Sequence, residues 1–136
     1  MAQMDEKYPM DWQYLDFECS EDTDGVVCWN ALAQPAAQHT RALCQEVALL
    51  LAWACRFSPT GPGPLEDGAD WDLDLQVQLH GPGEHLGRPA QAVWQSAQKT
   101  LAIDPAPGPD DRLELSLSLS GTPAFAQAFR EHWNTP

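Results

Sequence analysis

Twenty acidic against seven basic residues in a chain of 136 give a formal net charge of −13, and the cations (Lys7, Arg41, Arg56, Arg88, Lys99, Arg112, Arg130) are scattered singly. Without a basic patch to neutralise phosphates, nucleic acid and anionic membrane surfaces are poor partners, whereas a basic protein is an electrostatically suitable one. A hydrophobic fraction of 43% with six tryptophans is far from the composition of a disordered chain, and the length suits one self-sufficient domain, 1–136.

The opening M-A-Q-M-D-E-K-Y-P-M-D-W is acidic and has no apolar run of signal-peptide length; residues 1–11 read as a flexible segment. The longest apolar run, Val47 to Cys55, is nine residues, far short of the roughly 20 that span a bilayer. A cytoplasmic protein with reduced thiols is the expectation.

The first regular element is an N-terminal β-hairpin. Leu15, Phe17 and Cys19 alternate with Tyr14, Asp16 and Glu18, and Val27, Trp29, Ala31 and Ala33 repeat the alternation after the turn. A three-residue loop Thr23-Asp24-Gly25, with Gly25 in the left-handed position, sets Cys19 opposite Trp29 and keeps both apolar sets on one face. A two-residue loop would turn Asn30 inward. In the three-residue register Cys28 points to the opposite face, so it has no route to a disulfide with Cys19.

A long helix follows from about 35 to 57. Pro35 suits a first-turn position, and Leu43, Val47, Leu50, Ala54 and Phe57 recur at helical spacing, flanked by Leu49, Leu51 and Trp53. Beyond a Pro/Gly-rich connector, W-D-L-D-L-Q-V-Q-L-H from Trp71 is a half-buried strand, its outward set including Asp70, Asp72, Asp74 and Gln76. The stretch 89–103 is ambiguous: Ala90, Val93, Ala97 and Leu101 fit a helix in its first half, while Lys99 to Ile103 alternates like a strand. R-L-E-L-S-L-S-L-S from Arg112 is a strand with four leucines inward and Glu114 and three serines outward. A C-terminal helix opens at Thr122-Pro123, a capping hydroxyl before a proline, and carries Phe125, Phe129 and then Trp133 or His132 on one side. The fold class is therefore α+β: an antiparallel-rich sheet of about four strands, with the long central helix and the C-terminal helix packed on one face.

Chemical signatures are sparse. Ser20, Asp22, Asp24 and Gly25 match the first half of a calcium loop, but the bidentate glutamate expected at its end is Ala31 and the flanks are strands. Cys19 and Cys28 lack C-x-x-C spacing, and Cys44 and Cys55 share a helix face about 16 Å apart. The four histidines form no zinc motif, and no catalytic signature is present; neither cofactor nor metal is expected. What remains is an acidic outward face comprising Asp16, Glu18, Asp70, Asp72, Asp74, Gln76 and Glu114. It reads as a solvated surface, as a docking surface for a basic protein, or as a carboxylate site.

The leading functional expectation is a protein-binding module acting as an adaptor, chaperone-like factor or inhibitor. One alternative is a small enzyme or ligand-binding domain with a pocket between sheet and Pro/Gly connectors, using Asp72, Asp74 or Glu114 with His80. Another is a homodimer.

Overall fold

A computed structural model describes residues 9–136, in which six strands form one antiparallel sheet. Strands β1 (Glu18–Glu21) and β2 (Val27–Ala33) make the expected hairpin, with Cys19 opposite Trp29 and Glu21 opposite Val27. Its loop is Thr23-Asp24-Gly25, closed by a bond from Asp22 N–H to the Val26 carbonyl, and Gly25 lies at φ +84°. The Asp22 side chain spends its Oδ1 on the Asp24 and Val26 amides at 2.8 and 2.9 Å. The acid resembling a calcium ligand thus stabilises the turn.

Helix α1 (Thr40–Phe57), entered through a 3-10 turn at Ala37–His39, links β2 to β3 (Trp71–His80). Strands β4 (Arg88–Gln95) and β5 (Thr100–Asp104) follow, then β6 (Arg112–Gly121) and helix α2 (Pro123–His132). The spatial order is β1-β2-β6-β3-β4-β5. Strand β6 therefore lies between β2 and β3, antiparallel to both.

The sheet has six strands rather than about four, because 88–104 is a hairpin and not a helix followed by a strand. Ala90, Ala92 and Trp94 are half-buried against the core, and Val93, which the helical reading needed inside, is 42% exposed. The turn contains neither glycine nor proline. Lys99 takes the left-handed conformation there, at φ +57°, a position that glycine or asparagine occupies more readily.

One face of the sheet holds the core. Leu113, Leu115, Leu117 and Leu119 of β6 are at most 1% exposed, and each such burial is worth about 1.5–3 kcal/mol relative to exposure. They belong to one cluster with Val27 and Trp29, with Trp71 and Leu79, and with Leu43, Val47, Leu50 and Ala54 from α1. Helix α2 adds Phe125 and Phe129, both fully buried. Thr122 caps it by accepting from the Phe125 amide at 3.3 Å, and Pro123 occupies the first turn.

Aromatic packing joins the segment around Trp12 to the C-terminal part of the chain. The Phe129 ring lies 4.6 Å from that of Trp29 and 5.7 Å from that of Trp53, while Trp12 stacks on Trp133 at 4.3 Å. The segment before β1 is tied down by Glu46 of α1, whose carboxylate accepts from the amides of Gln13, Tyr14 and Leu15 at 2.7, 3.0 and 2.8 Å. Leu15 and Phe17 are thereby held in the core, at 4% and 6% exposure. Of the segment 1–11, residues 1–8 lie outside the described residues; Met10 bridges to Trp133, its amide donating to the His132 carbonyl at 2.9 Å. No helix among the described residues is long and apolar enough to cross a membrane.

Candidate functional site

The two helices cover one face, and the other is bare. Strand registers arrange its side chains in rows. One row runs Glu18, Asn30, Ser118, Asp74 across β1, β2, β6 and β3; the next runs Ser20, Cys28, Ser120, Asp72. Leu32, Ser116 and Gln76 form a third. The first row has an acid at each end and the second has Asp72 at one end, with Asn30, Cys28 and serines between, while the third carries no acid. Glu18 and Asp74 are three strand spacings apart, about 14 Å.

The sequence-derived surface residues thus separate into three groups. Asp16 and Glu18 share a shallow notch of about 350 Å³ with Asn30, Leu32 and Ser116. Asp72 and Asp74 lie along β3, Asp72 accepting from the Leu73 amide at 2.9 Å and Asp74 from the Gln76 side chain at 3.2 Å. Asp70 precedes that strand, and its carbonyl accepts from the Thr122 amide at 3.0 Å. Glu114 stands apart, at the other end of β6.

There it meets His80, Nε2 to Oε1 at 2.9 Å, both side chains about one quarter exposed. The register explains the meeting: Gln78 pairs with Glu114 and His80 with Arg112, so His80 and Glu114 are diagonal neighbours on one face. Asp74 is six residues from His80 on the same strand, roughly 20 Å away. Of the three carboxylates considered as partners for His80, Glu114 is the one brought within hydrogen-bonding reach.

A cavity of about 310 Å³ opens over this pair, walled by Gly81–Glu84 and by Asp110 and Arg112. Both Pro/Gly connectors at that end of the sheet contribute to its rim. The Arg112 guanidinium is held by the Gln34 and Pro35 carbonyls at 2.8 and 3.4 Å. Glu84 is held below the ordinary carboxylate range, first by the Gly81 N–H and then by Arg88.

All four cysteines are free thiols, and Cys28 faces away from Cys19 as the hairpin register requires. Burial pushes the Cys44 thiol up, which disfavours its thiolate. Among the described residues no group of three or more His, Cys, Asp and Glu side chains is placed to hold a metal ion.

Leu32, not among the residues expected on this face, is 59% exposed on it. Its signal was present: an apolar residue in the outward phase of a strand whose inward residues are Ala31 and Ala33. Comparisons with protein-family models, with curated proteins and with solved structures find no match.

Proposed function

We propose that the protein is a binding module whose bare sheet face docks a basic partner protein, in the manner of an adaptor, chaperone-like factor or inhibitor acting in the cytoplasm. The observation that carries this reading is the charge inventory of the face. Asp16, Glu18, Asp72 and Asp74 have no ion-pair partner among the described residues. Arg112, in the outward phase of β6, is occupied by two backbone carbonyls. Carboxylates left without cations, on a chain of net charge −13, attract a cationic surface over a Debye length of about 10 Å at moderate salt. The same charge disfavours a second copy on this face, since two such faces would oppose like charges.

The test is a titration with short oligoarginine and oligolysine peptides of equal length. Binding is expected at low salt and about tenfold weaker binding at high salt. The double substitution Asp72→Asn/Asp74→Asn is compared with Glu66→Gln/Asp67→Asn, which removes the same charge from a surface turn elsewhere. A selective loss with the first pair supports the face; equal losses in both would reduce the interaction to net charge alone, and no binding at low salt would end the proposal.

A second reading is favoured by the His80–Glu114 contact beneath its cavity. Glu114 orients the imidazole, and the polar walls suit a small ligand with hydrogen-bonding groups. His80→Ala would abolish binding of such a ligand without disturbing docking on β3.

A further inference from the structure

We infer that the notch formed by Asp16, Glu18 and Leu32 receives an arginine side chain of the partner, and so supplies the point of specificity on the docking face. The inference rests on the docking reading. The acids on β3 have only polar neighbours along the outward side of their strand, whereas the notch joins charge to an apolar wall.

Glu18 lies opposite Asn30 on the neighbouring strand, and Leu32 lies opposite Ser116 on the next. These residues and Asp16 line a concavity of about 350 Å³, ample for one long side chain. Leu32 is 59% exposed there, an apolar surface that the fold itself leaves uncovered. Asn30 is already oriented, its Oδ1 accepting from the Ser118 hydroxyl at 2.6 Å. Neither Asp16 nor Glu18 has a cationic partner among the described residues.

The chemistry selects arginine over lysine. A guanidinium presents several N–H donors in one plane, enough for two carboxylates at once, and its weakly hydrated face can lie against a leucine. Its aliphatic stem covers further apolar surface on entry. An ammonium is compact and strongly hydrated, so it gains less from Leu32. The apolar wall is what distinguishes this notch from carboxylates that attract any cation.

The experiment compares equal-length oligoarginine and oligolysine on the intact protein by calorimetric titration. The wild type is expected to prefer the arginine peptide on the order of fivefold. Leu32→Ser is expected to reduce that preference, and Asp16→Asn/Glu18→Gln to abolish it while leaving the salt-dependent binding supported by Asp72 and Asp74. These residues are exposed, so both variants should fold; matching thermal unfolding midpoints confirm it. Equal affinity for the two peptides, or an arginine preference that survives both variants, overturns the notch and leaves the docking face standing. Failure of either peptide to bind at low salt overturns both.

Discussion

On β6, Leu113, Leu115, Leu117 and Leu119 are buried, while the residues between them, Glu114, Ser116 and Ser118, face the bare side. The two faces are separated by one residue of sequence at each step, yet they are constrained by different physics. On the covered face shape decides, because a close-packed interior registers the loss of even a few atoms. On the bare face the backbone ladder is complete whatever the outward side chain is, so those positions are open to binding chemistry. Stability is carried by the inward residues of these strands, and the outward residues alternate with them one for one.

The sharpest way to break that contrast is on the covered side. Phe129→Ala removes a fully buried ring that packs on those of Trp29, Trp53 and Phe125, and should destabilise by about 3–5 kcal/mol in denaturant unfolding. A somewhat smaller loss, about 1–3 kcal/mol, is expected for Glu46→Gln. The amide NH2 of the variant would face a backbone donor where the carboxylate accepts from three. Faster hydrogen exchange at Gln13–Leu15 would locate the damage; unchanged protection there would show that the anchor is redundant.

Acid probes the contact between the two helices. His132 is stacked with Trp53 at 5.5 Å, and burial, then the nearby Arg56 charge, holds its imidazole below the ordinary value of 6.5. The unfolded chain therefore binds this proton more readily than the folded one. Stability from the neutral ring is fully present above 6.5 and declines as pH falls from there toward the folded value. His132→Gln should flatten that part of a plot of unfolding midpoint against pH.

The smallest effect belongs to the bare face. Asp74→Asn and Ser118→Ala should change stability by no more than about 0.5 kcal/mol. Asp74→Asn should also weaken oligoarginine binding at low salt. A large loss of stability from either would mean that the outward residues also carry structural weight.

Much of this was legible because alternation was strong where burial was strong. Trp71 to Leu79 and Leu113 to Leu119 announced themselves as strands, and Asn30 decided the hairpin register because the other register would have buried it. The β4–β5 hairpin was obscured for two identifiable reasons. Its inward residues include Ala90 and Ala92, which contribute little contrast, and its turn relies on Lys99 where a glycine would have flagged it. The division of the acids into three groups depends on strand order, which no local pattern encodes. His80 and Glu114 were both candidates; only the β3–β6 register brings them together.

The position of β6 has a consequence for biogenesis. It pairs with residues 27–33 on one side and 71–80 on the other, yet it begins at Arg112. During synthesis, β1–β2 and β3–β5 wait as separate pieces with β2 and β3 exposing unpaired edges and apolar faces. The sheet closes only when the strand that joins them has left the ribosome. Such long-range pairing is slow, and open edges invite intermolecular pairing in the meantime. A nascent chain stalled before residue 112 should therefore be protease-sensitive throughout, and release of β6 should confer protection on both halves at once.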